Sequence, residues 1–255
     1  MIQLMQDGPT AMLTLSRPEK RNALTREFWQ DMRDTLHQLQ RDGRTRAVII
    51  TGAGDAAFCA GGDIASFQAL KDEAERRAFQ ADTMATFSAI EQTPLVVIAA
   101  VNGLALGGGC ELTLACDIVL AAENAVFAMP EAALGLTPGF GVLRGPEVIG
   151  RQWTKLMVFA GERVDAAKAL EIGLVQIVTP PDGLMARAHE IAQRVAAGGA
   201  LAQRYGKELI NRGIDPSGFE HSTERLTVLQ GSGEAAEGMA AFLQRRKASF
   251  RSGME

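Results

Sequence analysis

The chain has 255 residues, 47% of them hydrophobic and 22% charged, and 26 basic against 30 acidic side chains leave a net charge of −4. Such a composition can bury a substantial core, and it excludes a disordered chain, a collagen and a small disulfide scaffold. The closest approach to a basic run is Arg245, Arg246 and Lys247, so the charge pattern speaks against nucleic acid as a partner.

The opening residues, Met1 to Gly8, lack the basic-then-apolar order of a secretory signal. Cysteines at 59, 110 and 116 form no C-x-x-C pair, which fits a reducing compartment, and the expected location is the cytoplasm. The most apolar stretch, residues 95–122, is interrupted by Asn102, Glu111, Asp117 and several glycines, whereas a membrane span needs about 20 nearly unbroken apolar residues. No membrane association is expected.

In chain order, residues 11–15 alternate between Gly8-Pro9 and Pro18 and read as a strand. Phe28, Met32, Leu36 and Leu39 recur at helical spacing, with Thr25 as N-cap and Gly43 as stop. Residues 47–51 read as the next strand, so the three elements suggest a parallel crossover. The segment 65–92, with a charge run at 71–77, reads as helical, its charges on a solvated face. A buried strand at 95–101 leads through a glycine turn into a short helix around 110–116, then a strand at 118–122. Asp165 caps a helix over 166–172 that Gly173 closes, and 174–178 reads as the last strand. Beyond Leu184 only helices are expected, over 184–197, 200–212, 219–230 and 234–250. This predicts an α/β core over residues 1–195 and a helical oligomerisation region over 196–255, because terminal helices with uncovered apolar faces pack on the core or on another subunit.

Two glycine turns carry the chemical signal. Gly107-Gly108-Gly109 stands where a buried strand turns into a helix, and Ala60-Gly61-Gly62-Asp63 follows the strand at 47–51 by a short loop. Glycine lets a backbone approach a ligand closely and exposes N–H groups at a helix start. Two such donors suit a reaction that builds charge on a carbonyl oxygen, where each contributes about 3 kcal/mol to the transition state. A single turn could equally serve tight packing; the pair favours an oxyanion site. Glu111 lies one turn inside the apolar helix, and Glu131 lies in an apolar setting near Pro138-Gly139. An unpaired carboxylate there is costly unless it serves a purpose or changes protonation, and two on opposite sides of a cleft suit acid and base work on one water. Glu111 could also be a first-turn cap. His37, His189 and His221 are scattered without ligand spacing, so no metal is expected. Cys110 adjoins the glycine turn without a histidine nearby and reads as a packed small residue.

Phe58-Cys-Ala-Gly-Gly-Asp-Ile64 and Ala99-Ala-Val-Asn-Gly-Leu-Ala-Leu-Gly-Gly-Gly-Cys-Glu-Leu112 closely resemble the signatures of the enoyl-CoA hydratase/isomerase family, the crotonases. The resemblance extends from Ser16-Arg-Pro-Glu-Lys-Arg-Asn-Ala-Leu24 to the segment 237–250. It implies a crotonase-like spiral of ββα units, a C-terminal helical trimerisation region, a homotrimer or dimer of trimers, and an acyl-CoA thioester substrate. It implies no cofactor beyond the coenzyme A that the substrate carries. By the same resemblance Glu111 and Glu131 are the catalytic pair and the N–H groups of Gly62 and Gly108 form the oxyanion hole. Gly139, Ala60, Asp63 and Ile64 fall at water or substrate positions. Lys20, Asn22, Ala23, Leu24 and Lys247 match positions that contact CoA. Possession of both glutamates implies hydration of a 2-enoyl-CoA to a 3-hydroxyacyl-CoA. The alternatives are isomerisation, another crotonase reaction, or a non-catalytic homologue that binds acyl-CoA or RNA. One departure stands out: Pro138-Gly-Phe-Gly-Val-Leu-Arg144 lacks the family's second glycine pair and Thr-Gln, and Phe140 adds bulk beside the expected water position.

Overall fold

A computed structural model describes residues 1–211, 216–246 and 248. Ten strands fall into two sheets. The larger contains β1 (Ile2–Asp7), β2 (Thr10–Leu15), β3 (Ala47–Gly52), β5 (Val96–Val101), β7 (Ile118–Ala122) and β10 (Ile177–Thr179), in that spatial order. The smaller contains β4 (Ala57–Cys59), β6 (Leu104–Leu106), β8 (Val126–Ala128) and β9 (Val164–Asp165). Three long strands are thus each followed by a three-residue strand in the other sheet, β3 by β4, β5 by β6 and β7 by β8. Pairing is parallel except at β1–β2 and β8–β9. This is the expected α/β spiral of ββα units.

Side-chain alternation fixes how the large sheet is covered. Val48, Ile50, Val97, Ala99, Val119 and Ala121 point into the main core, whereas Ile49, Ile98 and Leu120 point to the opposite face. There they meet Leu184, Ala188, Ile191 and Ala192 of α8 (Leu184–Ala196). Burial on both faces is why these strands read as unbroken apolar runs. The main core is closed by α1 (Arg26–Arg41), α3 (Glu73–Gln92) and α4 (Gly108–Ala115). A short α2 (Ile64–Gln68) precedes α3; α5 (Gly141–Val148), α6 (Gly150–Phe159) and α7 (Ala166–Glu171) complete the spiral.

The remaining helices are α9 (Ala200–Ile210), α10 (Pro216–Gln230) and α11 (Gly233–Leu243), and no strand follows β10 among the described residues. Two of them sit close on the core. Thr227 and Leu226 of α10 are buried, and α11 lies so near the turn at 131–134 that a Cβ on Gly238 would stand 2.3 Å from the carbonyl carbon of Leu134.

Several sequence-level boundaries shift. The strand expected at 174–178 is confined to Ile177–Thr179, because Leu174 and Val175 are core residues of the segment leaving α7. Thr25 supplies the N-cap backbone of α1 without a side-chain bond, whereas Asp165 caps α7 by accepting from the Lys168 N–H at 2.8 Å. The last helix ends at Leu243 rather than 250, and residues 247 and 249–255 lie outside the described residues. Strand β1 gave no signal since five of its six residues are exposed.

A buried ammonium ties α9 to the sheet. Lys207 Nζ donates to Ile90 O and Leu95 O at 2.9 Å each and to Asp117 Oδ2 at 2.7 Å, and the same oxygen accepts from the Val97 N–H. Removing one partner of a buried ion pair leaves an uncompensated charge. Lys207→Met should therefore lower the unfolding free energy by about 3–5 kcal/mol in urea denaturation. A loss below about 1 kcal/mol, the range of an exposed pair, would contradict that role.

Candidate active site

Strands β4 and β6 pair in parallel, Ala57 with Leu104 and Cys59 with Ala105, so the turns leaving them emerge side by side. Their approach leaves no room for side chains. A Cβ on Gly109 would stand 2.2 Å from Cys59 O, and one on Gly61 would stand 2.8 Å from Leu106 O. Gly61 (φ +94°) and Gly107 (φ +51°) also adopt the left-handed region that glycine enters without steric cost.

Two amides are left over by this geometry. In the parallel bridge between Leu24 and Gly62 the bonds run from the Leu24 N–H to Gly61 O and from the Asp63 N–H to Leu24 O, both 2.8 Å. The Gly62 N–H therefore points away from that strand. Gly108 opens α4, where the first amides have no intrahelical acceptor. A Cβ on Gly108 would lie 3.6 Å from Gly62 N, so the two amides are neighbours. The Phe67 ring closes over Gly62, its Cζ 2.4 Å from where a Cβ would stand.

Two carboxylates border this place, and their surroundings differ. Glu111, 6% exposed, accepts at Oε1 from the N–H groups of Phe140 (2.8 Å) and Gly141 (2.9 Å). Burial pushes its carboxyl up to about 7, against the opposing effect of those two donors. Glu131 opens a 3₁₀ turn over Glu131–Leu134. Its Oε1 lies 2.8 Å from the position of a Cβ on Gly107, and its sealed Oε2 finds no hydrogen-bond partner among the described residues. Burial first, then the charge of Glu111, hold Glu131 well above the usual carboxylate range. Carboxylates 20 residues apart in sequence thus border one glycine turn, one held by two amides of another segment and one with an oxygen left unpartnered among the described residues.

The other expected residues divide into exposed and structural ones. Lys20 is exposed beside the site-facing turn. Asn22 is fully buried, its Oδ1 accepting from the Arg17 N–H and its Nδ2 donating to Ala53 O and Ala57 O, so its side chain holds the turn together. Leu24 is likewise a core side chain, and Ala23 is half-buried. The Ala60 N–H donates to Arg21 O, joining the two turns. Asp63 caps α2 and pairs with Arg17 at 2.9 Å, while Ile64 packs beside Leu136, Ala235 and Met239. Gly139 is buried one residue before the donors to Glu111. Lys247 lies outside the described residues. Cys110 is fully buried, and burial with the charges of Glu131 and Glu111 raises its thiol, so it is a packing residue rather than a nucleophile.

Sequence reasoning missed Gly141 as an amide donor, Gly107 as the surface on which Glu131 rests, Arg17 as a clamp, and Phe67. The Gly-x-Gly spacing at 139–141 was the available signal for the first. The others depend on contacts between segments far apart in the chain.

With this geometry described, comparison with known proteins defines the class. The enoyl-CoA hydratase/isomerase family model matches residues 7–253. A crotonyl-CoA hydratase of Syntrophomonas wolfei is 38% identical over 253 residues, covering 98% of this chain and 97% of that one. A short-chain-enoyl-CoA hydratase of Clostridium acetobutylicum is 36% identical over 248 residues, covering 96% and 95%. A crystal structure of an enoyl-CoA hydratase from Mycobacterium avium subsp. paratuberculosis superposes with a TM-score of 0.87 at 30% identity, covering 98% of each chain. The chain belongs to the enoyl-CoA hydratase/isomerase family, and its fold is the crotonase fold.

Both glutamates keep their protons to higher pH in the folded chain than in the unfolded chain, which releases them above about pH 4.5. Stability contributed by these protonated groups is complete below that value and declines as pH rises through 7. Glu111→Gln should accordingly be more stable than the parent at pH 8, by about 1–3 kcal/mol, with the difference vanishing near pH 4, and Glu131→Gln should depart from the parent in the same direction. Denaturant titrations at both pH values check this, and variants less stable than the parent at pH 8 would contradict it.

Proposed function

We propose that the chain hydrates a 2-enoyl-CoA thioester to a 3-hydroxyacyl-CoA. The observation that carries this reading is the unequal treatment of the two carboxylates. Two amides from another segment favour ionised Glu111, whereas Glu131, which has its own backbone N–H but an Oε2 without a partner among the described residues and lies beside a negative neighbour, favours its proton. In this proposal Glu111 removes a proton from water as the water oxygen bonds to C3. The π electrons move through C2 to the thioester oxygen, where the Gly62 and Gly108 amides hold the developing charge. Glu131 then delivers its proton to C2 and the thioester carbonyl re-forms. Water is added in full, and one negative charge is conserved, passing from Glu111 to the thioester oxygen and then to Glu131 until the proton is exchanged back. The hydratase names of the two curated relatives support the same reaction.

The exposed Lys20 provides a cation beside the turn for an anionic CoA group, with no other cofactor needed. Assembly as a homotrimer, singly or as a dimer of trimers, is part of the proposal. Its support is an exposed apolar row at four-residue spacing along α9, Leu201, Tyr205 and Leu209, with Phe159 at 73% exposure on α6.

Incubation with a panel of 2-enoyl-CoA thioesters, followed by mass spectrometry, should show gain of one water. Glu111→Gln and Glu131→Gln should each lower kcat about 100- to 10,000-fold. No gain with any thioester, despite binding of CoA esters, would overturn the hydratase reading. Turnover of a 3-enoyl-CoA that survives Glu111→Gln but not Glu131→Gln would replace it with isomerisation.

A further inference from the structure

The amides that hold Glu111 belong to the start of α5, and α5 is fastened to α3 by two contacts one turn apart. Phe87 of α3 and Phe140 are both fully buried, with ring centroids 4.7 Å apart. Four residues further along each segment, Glu91 receives Arg144 on both carboxylate oxygens. Arg144 Nη2 donates to Oε2 at 3.0 Å, and Nε donates to Oε1. Both residues are buried, at 6% and 8% exposure. The remaining guanidinium nitrogen, Nη1, donates to the exposed carboxylate of Glu147. Residues four apart share one helix face, so both contacts lie on the same side of α3 and of α5.

A buried bidentate pair is an orienting device more than a source of stability, since apolar residues of similar volume often serve a core as well. Its position matters here. The Phe140 amide belongs to the residue that makes the first contact, the Gly141 amide follows at once, and Arg144 lies one turn beyond. Sliding or rotation of α5 by about 1 Å would carry both amides out of hydrogen-bond range of Glu111.

We infer that Glu91 and Arg144 are positioning residues, whose ion pair, together with the Phe87–Phe140 contact, keeps the amides of Phe140 and Gly141 aimed at Glu111. For its kinetic consequence this rests on the hydratase reading; its structural consequence stands in the ligand-free protein. Two other charged groups face the pair, Glu147 and the Lys207 ammonium, the latter engaged by Asp117. The loop that departs from the family pattern thus has its own fastening, with Phe140 as one half.

The test replaces both partners together, Glu91→Met with Arg144→Met, which avoids an unpaired buried charge. Carbon-13 NMR of glutamate-labelled, ligand-free protein follows the carboxyl of Glu111, identified by its loss in Glu111→Gln. Weaker amide bonds favour the ionised form less, so Glu111 should titrate at higher pH in the double variant than in the parent. Where the parent hydrates an enoyl-CoA, kcat should fall roughly 10- to 100-fold with little change in KM. Arg144→Lys, which restores the charge but not the two-point geometry, should recover only part of the titration shift. A folded double variant with the parent's Glu111 titration would overturn the inference and leave the pair a packing feature. Should the double variant not fold, Glu91→Gln decides by the same titration, a rise supporting the inference and an unchanged midpoint overturning it. Absence of turnover in the parent would count against the hydratase reading alone, because the titration needs no substrate.

Discussion

Everything at the site depends on two backbone turns lying closer than any side chain would allow. The parallel pairing of β4 with β6 brings them there, and glycine at 61, 107 and 109 lets them remain. The cost of ordering so many glycines is offset by the strands around them, which are buried on both faces of the large sheet. Out of this contact come two amides without acceptors among the described residues and a bare surface at Gly107 against which a carboxylate can rest.

The second constraint is electrostatic. Two carboxyls in an apolar interior cannot both stay ionised without heavy cost, and the fold divides them by aiming two amides of another segment at Glu111 while Oε2 of Glu131 has no partner among the described residues. The division requires α5 to start at one place, which links the glycine turns to α3 through Phe87, Phe140, Glu91 and Arg144.

How much of this was legible in the sequence varies with the range of the interaction. The long strands other than β1, with α1 and α7, follow from local periodicity and caps, and both glycine turns and both glutamates stood out because polar or flexible residues in apolar runs demand an explanation. The three-residue strands β4, β6 and β8 are too short for any periodicity, yet they create the approach of the turns. Asn22 reads as a ligand contact from its position, but its side chain is consumed by backbone groups at 53 and 57, a contact across more than 30 residues. Phe140 reads as bulk added near a water position, whereas its ring packs on Phe87 inside the core. The cluster that joins Phe67 to Phe79, Leu136 and Met239 has no local signature either, since its members come from four separate segments.

The central claim is that the Gly62 and Gly108 amides polarise a thioester carbonyl. Infrared difference spectroscopy of a saturated acyl-CoA, carbon-13 labelled at the thioester carbonyl and bound to the protein, tests it most directly. The carbonyl stretch should move to lower frequency on binding than in water, as two converging donors draw charge onto the oxygen. A bound ligand whose carbonyl frequency matches that in water would contradict it.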